Sequence, residues 1–156
     1  MTIDDHAAPG DRFNYAEHLF GINRERASKL AYIDDRGVLS FGDLEARSRQ
    51  LAQALLDAGV RREERVLLLM HDCNDWPVAF LGAMFAGIVP VAVNTLLTAD
   101  DYAYMLHHSR ARAVLVSAAL LPPLRDAMRD GTHAVETVLV AHADAPLQNG
   151  ERDLEQ

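Results

Sequence analysis

The sequence predicts an α/β fold: a parallel sheet in three layers with helices on both faces, preceded by a helix and a β-hairpin. Three observations lead there. Short apolar runs of strand length alternate with capped helical segments at close spacing, the pattern of βαβ units. The runs, Arg65–Met70 above all, are continuously apolar, as strands covered on both faces are. Of 156 residues, 49% are apolar and 24% charged, which suits one domain with a sizeable core.

Taken in order, residues 1–13 are polar, carry Pro9 and Gly10, and read as a mobile lead-in. Asn14 is placed to cap a helix over 15–28, with Leu19, Phe20 and Ile22 on its inner side. Ala31–Ile33 and Val38–Ser40 flank Asp34-Asp35-Arg36-Gly37, a Gly-ended turn between two short apolar runs, which reads as a hairpin. Ser40 stands three residues before Asp43, a capping box with Asp in place of Glu. The helix it opens carries Leu44, Leu51, Ala52, Leu55 and Leu56 at helical spacing and stops at Gly59.

A strand over Arg65–Met70 follows, then a helix capped by Asn74 or Asp75 with Pro77 in its first turn, ending near Gly87. Val89–Val93 is the next strand. Thr98 with Asp101 repeats the capping box for a helix ending near His107 and His108. Ala113–Ser117 is a strand, Leu121–Asp130 a helix with Pro122 and Pro123 in its first turn and Gly131 after it, and Glu136–Val140 a strand. From residue 141 the periodicity is lost. The expected division is a lead-in at 1–13, an α/β unit at 14–142 and an irregular tail at 143–156.

Charge and cysteine content narrow the function. The net charge is −8 and the basic residues are scattered, which excludes a nucleic-acid surface, since phosphate binding needs clustered positive charge. Cys73 is the one cysteine, so no intrachain disulfide can form, and a reducing, cytoplasmic setting fits. The acidic start, Met1 to His6, has no apolar segment behind a basic one and is no secretory signal. Trp76–Leu97 contains no charged residue, but Gly87 and Pro90 interrupt it and acidic residues flank it. A buried helix running into a buried strand explains it better than a membrane span.

The carboxyl ends of the predicted strands carry His71, Asp72, Asn94, Thr95, Ser117 and His142, where open parallel sheets bind ligands. Helix caps and loop polarity account for the same residues. The first βα turn, His71-Asp72-Cys73-Asn74-Asp75, lacks the glycines that let a pyrophosphate approach the backbone, and no Walker-type loop occurs. His71, Asp72 and Cys73, or His107 and His108, are adjacent in sequence and point apart, so no metal site is expected from them. Cys73 has no fixed base and reads as a structural thiol. A phospho-acceptor receiver domain is disfavoured because Ser117 ends the third strand where such a domain has Asp.

Two stretches carry a family resemblance. Leu39-Ser40-Phe41-Gly42-Asp43-Leu44 with the helix after it resembles the first core motif of adenylate-forming enzymes. Met84-Phe85-Ala86-Gly87-Ile88-Val89-Pro90-Val91-Ala92-Val93-Asn94 resembles the second, a helix stopped at Gly with Pro leading into a strand. The resemblance covers residues 13–140. Within the superfamily, FNYAEHLF near the start, the stretch from His71 to Leu106 and the preference for arginine over lysine resemble benzoate- and 4-hydroxybenzoate-CoA ligases.

That resemblance implies the N-terminal subdomain of the adenylate-forming fold, in a ligase using ATP, magnesium and CoA on an aromatic carboxylate. It also implies that this chain is a fragment whose partner is the remainder of the ligase chain. The family's Ser/Thr/Gly-rich phosphate loop, its ribose-binding Asp and its late adenylation Lys have no counterpart in the sequence. The sole lysine, Lys29, lies far upstream. Adenylation depends on placed donors and cations around phosphoryl charge, so the fragment alone is expected to be inactive. No catalytic, cofactor-binding or metal residue is assigned to it; Gly87 and Pro90 are structural. An apolar face, to which Trp76–Leu97 is the expected contributor, is left for self-association. The alternatives are a free-standing α/β binding module and a non-enzymatic signalling domain.

Overall fold

The computed structural model describes residues 12–154; residues 1–11 of the expected lead-in at 1–13, and residues 155–156, lie outside the described residues. The chain builds α1 (Tyr15–Asn23), a 3-10 turn at 24–26, β1 (Leu30–Asp34), β2 (Gly37–Ser40), α2 (Phe41–Asp57), β3 (Arg65–Leu69) and α3 (Asp75–Phe85). It continues through β4 (Val89–Ala92), α4 (Ala99–Ser109), β5 (Ala113–Ser117), α5 (Leu121–Ala127), β6 (Thr137–Ala141) and β7 (Glu151–Asp153).

β1 and β2 pair antiparallel as a separate hairpin. The other five strands form a parallel sheet in the order β4-β3-β5-β6-β7. The period of two along a strand divides the core. Val66, Leu68 and Met70, with Ala113, Leu115, Leu139 and Ala141, face the layer of α1, α2 and α3. Leu67, Leu69, Val114, Val116, Val138 and Val140 face Tyr102, Leu106, Leu121 and Leu124 on α4 and α5. Trp76–Leu97 is a helix stopped at Gly87, whose φ is +74°, followed by strand β4. No helix among the described residues is long and apolar enough to cross a membrane.

Local rules place most elements. Asn14 Oδ1 accepts the Glu17 N–H (3.1 Å), while its amide donates to the Met84 carbonyl (2.8 Å), tying the start of α1 to the end of α3. Both capping boxes close: Ser40 with Asp43 and Thr98 with Asp101. α2 packs on α3 at Gly82, where a methyl group would stand 2.8 Å from the Ser48 carbonyl oxygen.

Several expectations are corrected. α1 ends at Asn23 and α5 at Ala127, each followed by a tighter turn. The buried face of α1 is Ala16, Phe20 and Asn23, so Ile22 is 48% exposed; on α2, Leu56 is likewise exposed. The tail at 143–156 contains β7, which pairs with β6 through the backbone. Its side chains, Glu-Arg-Asp, carry no apolar alternation. Arg125 grips Glu151 with two hydrogen bonds (2.8 and 2.7 Å), and Leu154 enters the core instead. The exposed apolar residues do not concentrate on α3, which is sandwiched between the sheet and α1 and α2. Within Trp76–Leu97 the large exposed ones are Val89 (41%) and Leu96 (90%), both beyond the helix, and the hairpin adds Ile33 (70%) and Val38 (61%).

Candidate functional site

In a sheet ordered β4-β3-β5-β6-β7 the winding reverses between β3 and β5, and the crevice beyond their carboxyl ends is where such folds place ligands. Here a hollow of about 340 Å3 opens at that point. His71, Asp72 and Cys73 after β3, Ser117 after β5 and His142 after β6 line it, and the hairpin turn Asp34–Arg36 roofs it. The Ser117 hydroxyl accepts the His71 N–H at 3.0 Å, fixing the two strand ends together. Asn94 and Thr95 lie apart, in a second hollow beyond β3 and β4 that also includes His71, Asp72 and Trp76. The six polar residues expected at the strand ends are therefore all there, but in two neighbouring hollows.

The hairpin roof is pinned by Asp34. Its Oδ1 accepts N–H groups of Arg36 (2.9 Å) and Gly37 (3.0 Å), and its Oδ2 accepts the N–H of Asn74 at the start of α3 (2.7 Å). These bonds, the Asn74 N–H first among them, hold the Asp34 carboxyl below its usual range. Asn74 accordingly does not cap α3 with its side chain, contrary to expectation; its amide donates to the Gly37 carbonyl (3.1 Å).

This arrangement does not fit a nucleotide phosphate. The Asn74 N–H at the α3 terminus, one of those a phosphate would take, is bonded to the Asp34 carboxylate. Asp34, Asp35, Asp72 and Asp144 line the crevice against Arg36 alone among always-charged cations. Lys29 precedes β1 and is not among the residues lining the crevice.

Asp75, expected as an alternative cap, is instead the buried charge of the region, 2% exposed. Arg47 of α2 pairs with its Oδ1, and His142 Nε2 lies 2.8 Å from its Oδ2. Nothing local in the sequence links these three. The one usable signal is a carboxylate at the head of the long uncharged stretch. Cys73 is half-buried, and burial, more than any other influence, raises its thiol above the ordinary range. His107 and His108 sit in the last turn of α4, where the helix dipole favours positive charge. His107 Nδ1 meets the Thr132 carbonyl (3.2 Å), and His108 stacks on Tyr104.

Two larger hollows, about 760 and 880 Å3, flank β7. In the first, the charged groups are largely paired with one another, Arg125 with Glu151 and Arg129 with Asp126. The second lies between α2 and residues 151–154, without a converging set of reactive groups.

Known proteins resemble this chain along most of its length. The family model described as AMP-binding enzyme matches residues 21–156. A 4-hydroxybenzoate–CoA/benzoate–CoA ligase from Rhodopseudomonas palustris is 41% identical over 121 residues, 78% of this chain and 22% of that protein. A benzoate–CoA ligase from Thauera aromatica is 44% identical over 115 residues, covering 72% and 22%. A solved benzoate CoA ligase from Burkholderia xenovorans superposes with a TM-score of 0.81 at 50% identity, over 87% of this chain and 27% of that one. The chain thus spans about a quarter of the length of the proteins it matches.

Proposed function

The chain belongs to the AMP-binding enzyme family, and from that premise we propose that it is the N-terminal part of a cytoplasmic, ATP-dependent aryl-carboxylate CoA ligase of the benzoate type. The observation that carries this reading is the 41–50% identity to benzoate ligases from three bacteria, across nearly the whole α/β unit. In the reaction, an aromatic carboxylate oxygen attacks the α-phosphorus of ATP, forming an acyl-adenylate and releasing pyrophosphate. The CoA thiolate then attacks the acyl carbon, forming the thioester and releasing AMP. Magnesium accompanies the nucleotide.

The part of this chain in that work is scaffolding over residues 14–142. Gly87 stops α3 in a conformation suited to glycine, and Pro90 enters the edge strand β4, where a missing N–H is tolerated. The groups that handle phosphoryl charge belong to the remainder of the ligase. The carboxylate-lined crevice and the absence of a phosphate loop in the sequence support that division, and the fragment is inactive by itself. A ligase assay on the gene's full reading frame tests the reading. AMP formation dependent on benzoate or 4-hydroxybenzoate is the expected result. AMP formation with long-chain fatty acids only, or with no acid, contradicts it.

A further inference from the structure

The crevice at the switch point brings together three side chains of metal-ligating type. Cys73 Sγ, a carboxylate oxygen of Asp75 and a ring nitrogen of His142 lie within 4.8 Å of one another. They come from both sides of the crevice: the turn after β3, the first residue of α3 and the residue after β6. Asp75 is the pivot. Its Oδ1 is committed to Arg47. Its Oδ2 is shut off from solvent and has no hydrogen-bond donor in line with it, although His142 Nε2 is only 2.8 Å away. A ring nitrogen, a carboxylate oxygen and a thiol sulfur this close together are near enough to ligate one shared cation. His142 also holds a φ of +57°, a left-handed conformation that residues with a Cβ rarely adopt and that clusters at functional sites.

We propose that Cys73, Asp75 and His142 form a site for a borderline-soft divalent cation of the Zn2+ type. Thiolate, carboxylate and imidazole are the three ligand classes this ion prefers, and three protein ligands leave its fourth tetrahedral position to water or an incoming ligand. The Cys73 S–H proton leaves to solvent as the S–metal bond forms, and thiolate plus carboxylate balance the two positive charges. Arg47, remaining on Oδ1, orients the Asp75 carboxylate from behind, as outer partners of metal ligands do. Bound there, the ion joins the head of α3 to the end of β6. The proposal is independent of the ligase reading.

Titration of the chain with Co2+ tests it. One equivalent is expected to bind and to give the thiolate-to-metal charge-transfer absorption of a cysteine-ligated ion. Cys73→Ser and His142→Asn are each expected to abolish that absorption. Asparagine tolerates the left-handed conformation, so the second variant keeps the fold, which far-ultraviolet circular dichroism checks. In the unaltered chain, one equivalent of Zn2+ is expected to slow alkylation of Cys73 by iodoacetamide at least 10-fold. Absence of the absorption, its survival in His142→Asn (a thiol-only contact), or unchanged alkylation with Zn2+ would overturn the proposal.

Discussion

Asp34 illustrates how one side chain does the work of several. It closes the hairpin turn through Arg36 and Gly37 and clamps that hairpin to the start of α3 through Asn74. Because the folded state favours its ionised form, its stabilising effect is fully present above the ordinary carboxyl pKa of about 4 and is lost as pH falls through the lower folded-state value. Glu151, held down chiefly by Arg125, acts in the same sense. Asp34→Asn keeps an acceptor oxygen but no charge. Thermal midpoints followed between roughly pH 5 and 3 are expected to fall less steeply in this variant than in the unaltered chain; parallel slopes would show that Asp34 is unlinked to acid stability. At this scale the sequence was legible wherever the partner is a neighbour. Asn14 with Glu17, Ser40 with Asp43 and Thr98 with Asp101 are read from spacing alone. Asp34 with Asn74, and Asp75 with Arg47 and His142, are set by how layers stack, and no local rule encodes them.

Elements were legible where burial imposes a period. β3, β5 and β6 are apolar except for one end residue each (Arg65, Ser117, Thr137) because both faces are covered, and their predicted limits agree to within a residue. β7 was invisible because its pairing is made by backbone groups and its side chains are charged. The close contact of α2 with α3 was also hidden, since it depends on what is missing from Gly82. Gly82→Ala would press a methyl group to 2.8 Å of the Ser48 carbonyl and 3.2 Å of Leu51. Strain of this kind costs about 1–3 kcal/mol, to be read as a lower urea midpoint. Gly21, in α1, has open space around the same position. Gly21→Ala should therefore stabilise by about 0.5 kcal/mol through helix propensity and unfolded-state entropy. Equal effects at the two sites would contradict the packing described for α2 and α3.

For the whole molecule, the distribution of apolar surface matters most. The hairpin turns Leu39 into the core and leaves the cross-strand pair Ile33 and Val38 exposed on its opposite face, an adjacent apolar pair and not two isolated residues. Weak self-association through this face is expected. Sedimentation velocity should show a concentration-dependent coefficient that Ile33→Lys suppresses; a sharp monomer at every concentration would remove the idea. The fold class was legible because alternating strands and helices admit few arrangements, whereas the crevice's acidity was not, because hairpin and strand ends meet only in three dimensions.

On the proposed reading, this chain carries the scaffold of a ligase without its nucleotide chemistry. Isothermal calorimetry with MgATP tests it most directly. No saturable heat is expected at micromolar nucleotide, because Asp34 takes the Asn74 N–H at the start of α3 and carboxylates line the crevice. Saturable micromolar binding of one MgATP per chain would contradict it.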